Sequence, residues 1–141
     1  MRIGILEDYQ SLGRILQLSL GLAGHKVETS QTIIDFLAFV TSPTPADLII
    51  VDFLLLAEHS QVRLSGTDVI RHIRTISPNM PAILISAAPL ATLETATVGL
   101  SRVKILRKPF KTATLLEMIN VITETGDGND SRREQDSRFN R

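Results

Sequence analysis

Leu48-Ile49-Ile50-Val51-Asp52 is the stretch on which the fold turns: four large aliphatic side chains in a row, closed by an acid. Side chains of a strand alternate between the two faces of its sheet, so an unbroken apolar run needs cover on both faces. Parallel sheets wrapped by helices supply that cover. Working outward, the pattern repeats in weaker form. Residues 3–6 are apolar and run into Glu7-Asp8; residues 82–85 close on Ser86; residues 103–106 lead to Lys108-Pro109-Phe110. Residues 25–29 make a fainter strand. The run at 48–51 is the most apolar of these, which places it at the centre of the sheet.

Between the strands lie segments of helical periodicity. Leu12, Ile15, Leu16, Leu18 and Leu20 recur through residues 9–22, and Gly21 and Gly24 mark that segment's end. Ile33, Phe36, Leu37 and Val40 form the stripe of residues 32–40. Val69, Ile70 and Ile73 do the same for 67–76, and a further helix covers 90–98. Leu115, Leu116, Ile119 and Ile122 line residues 112–123. The prolines at 43 and 45, and again at 78 and 81, punctuate turns. Strand and helix alternating five times give an α/β fold, doubly wound around a five-stranded parallel sheet.

The chain has 141 residues, 43% of them apolar, with 15 basic and 15 acidic side chains. That suits one domain, expected over residues 1–125, and a balanced charge gives no support for direct binding of nucleic acid or of an anionic membrane surface. Absence of cysteine excludes disulfides, thiolate metal sites and cysteine nucleophiles. No run reaches the ~18 apolar residues that span a bilayer, and acids follow the first short run too soon for a secretory signal. A cytoplasmic protein is expected. Residues 126–141 hold one large apolar side chain, Phe139, among mixed charges, and are expected to form a disordered tail.

In an open parallel sheet, ligands bind at the carboxyl ends of the strands. This sequence puts Glu7 and Asp8, Asp52, Ser86 and Lys108 at those ends. Each alone has an ordinary structural explanation: an acid capping a turn, a serine ending a strand, a solvated lysine. Together they fit phosphoryl transfer to a carboxylate. The oxygens of Glu7, Asp8 and Asp52 are hard donors suited to Mg2+, which offsets repulsion between a carboxylate nucleophile and phosphoryl oxygens. Lys108 is positioned to pair with Asp52 and then with a phosphoryl oxygen, and Ser86 to hydrogen-bond another. Attack by Asp52 yields an acyl phosphate. His25, His59 and His72 share no ligand spacing and are read as non-catalytic; Phe36, Phe39 and Phe53 are read as packing residues.

The ordered set Glu7-Asp8, LIIVD at 48–52, AILIS at 82–86 and Lys108-Pro109-Phe110 resembles the receiver domains of response regulators, over residues 2–124. The resemblance implies a flavodoxin-like (βα)5 fold with strand order 2-1-3-4-5. It implies Asp52 as phosphoacceptor, a phosphohistidine donor on a histidine kinase or histidine phosphotransfer protein, and Mg2+ held by Glu7, Asp8, Asp52 and the backbone carbonyl of Leu54. It implies a cis Lys108-Pro109 bond, and Ser86 and Lys108 as carriers of the signal to a face made by helix four, strand five and helix five. A downstream protein target, and a homodimer through that face, are the partners it suggests. Such a domain is no enzyme beyond catalysing its own phosphorylation and dephosphorylation. With no room after residue 124 for a further folded module, output is expected through protein contacts.

The sequence also departs from the family. Gly66 lies fourteen positions after Asp52, further than the family's loop glycine, so an insertion falls in the loop at 57–65. Leu56 stands where proline is common, Ile105 where the switch aromatic is usual, and Ser101-Arg102 where Gly-Ala is frequent. Leu54 and Ala88 occupy positions whose side chains help align a hydrolytic water. Two other phosphate-handling classes fail on single residues. A haloacid-dehalogenase-type phosphatase needs a second Asp where Leu54 stands, and an FMN-binding flavodoxin would not place Glu7-Asp8 in its phosphate loop. The remaining alternative is a receiver-like protein-interaction module that acts without phosphorylation.

Overall fold

The computed structural model describes residues 1–55 and 64–124. Leu56, the greater part of the inserted loop with Glu58, His59 and Gln61, and the tail from 126 onward lie outside the described residues.

Five strands and five helices alternate: β1 (Arg2–Leu6), α1 (Gln10–Leu22), β2 (Lys26–Ser30), α2 (Ile33–Val40), β3 (Leu48–Asp52), α3 (Gly66–Ile76), β4 (Ala82–Ser86), α4 (Leu90–Ala96), β5 (Val103–Arg107) and α5 (Thr112–Glu124). All strand pairs are parallel and the order across the sheet is β2-β1-β3-β4-β5. β3 sits at the centre, as its composition requires, and every residue of β3 and β4 is buried. The edge strand β2 alternates instead, which is why its sequence signal is faint.

Alternating side chains split the core in two. Ile3, Ile5, Leu48, Ile50, Ile83, Ile85 and Leu106 face α1 and α5, where Leu16, Leu20, Leu115, Ile119 and Ile122 meet them. Leu6, Ile49, Val51, Ala82 and Leu84 face α2, α3 and α4 through Phe36, Val40, Val69, Ile70, Ile73 and Leu93. Not all of α1's apolar residues join in. Ile15 and Leu18 are exposed, because that helix is apolar around most of its girth and only one stripe reaches the sheet.

The starts of α1, α2 and α3 differ from the sequence reading by a residue, while those of α4 and α5 agree with it. Thr32 lies outside α2 and caps it, accepting a hydrogen bond from the Asp35 amide. Ser65 and Asp68 form a reciprocal capping box that starts α3 at Gly66. α4 ends at Ala96, shorter than its periodicity suggests. Past that end, the Arg71 guanidinium donates to the carbonyls of Ala96 and Val98, which have no partner within the helix. Arg74 similarly donates to the carbonyls of Met80, Ser101 and Arg102. Arg102 has φ +52°, a left-handed conformation that a non-glycine residue enters at a cost of roughly 1–2 kcal/mol. Its own guanidinium donates to the Asn79 carbonyl, 2.7 Å away. These arginine bonds hold the α4–β5 turn in place.

Candidate functional site

Parallel register brings the carboxyl ends of β1, β3, β4 and β5 together. Leu6 pairs with Val51, Asp52 with Ile85, and Ser86 with Arg107. Glu7, Asp8, Asp52, Ser86 and Lys108 follow from that register, each at or just past a strand end. Carboxylate oxygens of Glu7, Asp8 and Asp52 lie within 4.8 Å of one another. Glu7, Asp52 and Ser86 are buried, and Asp8 is half-buried.

Lys108 reaches into this cluster from β5. Its Nζ lies 3.0 Å from Glu7 Oε2 and 3.4 Å from Asp52 Oδ2, so at rest it leans on Glu7 as well as on the expected Asp52. The Lys108-Pro109 bond is cis. Glu7 Oε1 also accepts from the Tyr9 amide, and Asp52 Oδ1 from the Leu54 amide. Burial pushes the Glu7 carboxyl above the ordinary carboxylate range, and the neighbouring Asp52 adds to it, against the pull of Lys108. Asp52 is raised too, chiefly by burial; Lys108 and the Leu54 amide counter this and Asp8 reinforces it. Three carboxylates face a single ammonium, so the ionised cluster carries more negative charge than Lys108 offsets.

Close approach shapes the rim. Gly66 donates to the Phe53 carbonyl over 2.8 Å, and a Cβ there would overlap the carbonyl oxygen of Asp52. Leu54 and Ser65 form an antiparallel bridge, so the described segments on either side of residues 56–63 meet close to Asp52. The Leu54 side chain is 61% exposed. Ser86 Oγ accepts from the Ala88 amide at 3.0 Å.

Sequence reading missed two contributors. Thr67 is buried, its hydroxyl 2.7 Å from that of Ser65. Arg107 donates from Nε to the Ala88 carbonyl over 3.1 Å. Only its place next to Lys108 at the strand end hinted at it. The two described histidines stay outside the site: His25 bonds the amino terminus and His72 is exposed.

The response regulator receiver domain family matches residues 3–120, and the chain belongs to that family. It is thus a receiver of two-component signalling, a signalling module and not a turnover enzyme of the usual kind. Response regulator MprA of Mycobacterium avium (strain 104) is 25% identical over 122 residues, which cover 86% of this chain and 50% of that protein. The chain spans about half the length of the curated relatives it matches. Among solved structures, a response regulator receiver protein from Sinorhizobium medicae WSM419 is 25% identical with a TM-score of 0.74, over 90% of this chain and 97% of that one. A CheY-like receiver domain protein from Methanospirillum hungatei JF-1 gives a TM-score of 0.77 at 20% identity, over 89% and 95%. Among the described residues no helix is long and apolar enough to cross a membrane.

Proposed function

We propose that Asp52 accepts a phosphoryl group from a phosphohistidine on a histidine kinase or histidine phosphotransfer protein. The observation that carries this reading is the buried Asp52 carboxylate, set between the oxygens of Glu7 and Asp8 and the ammonium of Lys108. An Asp52 oxygen attacks phosphorus, the P–N bond breaks, and the imidazole nitrogen departs with the electron pair, leaving an acyl phosphate.

The donor set fits Mg2+: hard carboxylate oxygens within ligand reach of each other, carrying more negative charge than Lys108 offsets. Glu7, Asp8, Asp52 and the Leu54 carbonyl would hold it. Bound there, the ion supplies charge neutralisation between the acceptor carboxylate and the phosphoryl oxygens. Lys108 moves from its carboxylate partners to a phosphoryl oxygen, and the Ser86 hydroxyl donates to another. Those two shifts carry the change to the face formed by α4, β5 and α5, where a downstream protein, or a second copy of the chain, docks.

Acetyl phosphate with Mg2+ tests the reading on the full chain. Wild type gains one phosphoryl group and Asp52→Asn gains none, with circular dichroism unchanged. Undiminished labelling of the variant, mapped elsewhere by mass spectrometry, sinks the assignment.

A further inference from the structure

Receivers read out through an aromatic ring on β5, but here that position is Ile105, which packs into the apolar cluster beneath α4. Along β5, side chains at 103, 105 and 107 share one face, and the last of them is Arg107. Register sets Arg107 opposite Ser86, and the Lys108 amide donates to the Ser86 carbonyl over 2.8 Å.

The peptide groups of Ala88 are held from both sides. Its amide donates to Ser86 Oγ at 3.0 Å, and its carbonyl accepts from Arg107 Nε at 3.1 Å. The rest of this lead-in to α4 offers little grip: Ala87 and Pro89 have no polar side chain, and α4 starts without a side-chain cap. α4 spans only seven residues, so its own hydrogen bonds fix it weakly.

We propose that Arg107 is the positioning residue that tethers the β4–α4 loop in its unphosphorylated place, and that its bond to the Ala88 carbonyl breaks when Ser86 is drawn to the phosphoryl group. The proposal rests on the reading of Asp52 as phosphoacceptor. Ser86 and Arg107 grip the same residue, so displacing the first loads the second. Loss of a tether of this strength shifts the loop roughly three- to tenfold toward the displaced position. A reaction that draws on the displaced population accelerates by the same factor.

The test compares wild type, Arg107→Ala and Arg107→Lys in the full chain, by amide hydrogen exchange across 87–96 and by the rate of labelling with acetyl phosphate and Mg2+. Arg107→Ala is expected to exchange three- to tenfold faster across 87–96 before phosphorylation and to label faster by a similar factor. Arg107→Lys, which keeps a cationic donor, is expected to return both toward wild type. Exchange and labelling within twofold of wild type overturn the tether. Faster exchange without faster labelling overturns the coupling and leaves a static clamp. Labelling that persists in Asp52→Asn instead sinks the phosphoacceptor reading, and the exchange of the unlabelled proteins still decides whether Arg107 holds the loop.

Discussion

Replacing Gly66 with alanine separates two opposing contributions of comparable size. Nothing about the backbone demands glycine there; its φ is not positive, and it is the first residue of α3. Alanine at a helical position is better than glycine by roughly 1 kcal/mol, partly because it restricts the unfolded chain. On those grounds the substitution stabilises. Against them stands the approach to β3. The added Cβ would overlap the Asp52 carbonyl oxygen, lie 2.9 Å from its carbon and 3.0 Å from Leu84 Cδ1.

None of these can give way cheaply, because β3 is the central strand and Leu84 is fully buried. Overpacking of this kind costs about 1–3 kcal/mol, and displacing α3 also weakens the 2.8 Å bond from the Gly66 amide to the Phe53 carbonyl, worth about 1 kcal/mol. Set against the alanine gain, the net is a loss of about 2 kcal/mol. Urea denaturation measures it directly, and a midpoint about 8 °C lower is the thermal equivalent. Since the obstacle is the carbonyl of Asp52, the proposed phosphoacceptor, labelling by acetyl phosphate should fall as well. A variant as stable as wild type, or more so, would refute the close packing of α3 on Asp52.

With chelator present, Glu7 and Asp52 should make the protein more stable in mild acid than at neutral pH. Both carboxyls are raised in the folded state, so their contribution is full below the ordinary carboxylate range and is lost as pH rises through the raised values. Excess Mg2+ at neutral pH should restore it, and a pH profile of thermal midpoints unaffected by Mg2+ would count against the site. Arg74→Ala should cost about 2 kcal/mol in urea denaturation, since three carbonyls in the turns that precede β4 and β5 lose their donor; a loss under half of that would show the bonds to be incidental. Phosphorylated protein should decay slowly, because neither Leu54 nor Ala88 has a side chain that aligns water. Leu54→Asn should shorten its lifetime, and a wild-type half-life of seconds would contradict this.

The sheet was legible because its physics is local. A strand covered on both faces needs an unbroken apolar run, and 48–51 and 82–85 are such runs; β2, with one open edge, shows only Lys-Val-Glu-Thr-Ser and reads faintly. Site residues were legible for the same reason. Each polar residue that closes a buried strand is carried to one edge by parallel register, whatever its rotamer. Helix α1 marks the limit of pattern reading. Leu16 and Leu20 are buried while Ile15 and Leu18 are exposed, and the periodicity of a helix apolar on most sides cannot rank its faces.

What stayed hidden is a class of contact: a long cationic side chain donating to a backbone carbonyl. Arg71, Arg74, Arg102 and Arg107 all do this, and carbonyls leave no mark in a sequence because every residue has one. A carboxylate partner is visible as Asp or Glu, so the pairing of Lys108 with Asp52 could be anticipated, whereas the shorter one with Glu7 was missed. Two of the departures from the family pattern fall where these arginines act. Arg102 takes a left-handed φ where the family has Gly-Ala, and its own bond to Asn79 offsets part of that cost. Arg107 grips the loop above Ile105, where the family has a ring. Arg102 both breaks the local pattern and supplies a donor of its own, whereas at the second place the donor is Arg107, two residues beyond Ile105. A double substitution of Arg74 and Arg102 should cost less than the sum of the single ones, because both secure the same turn before β5 and either loss alone already loosens the other's bonds; a cost equal to the sum would show the two to act independently.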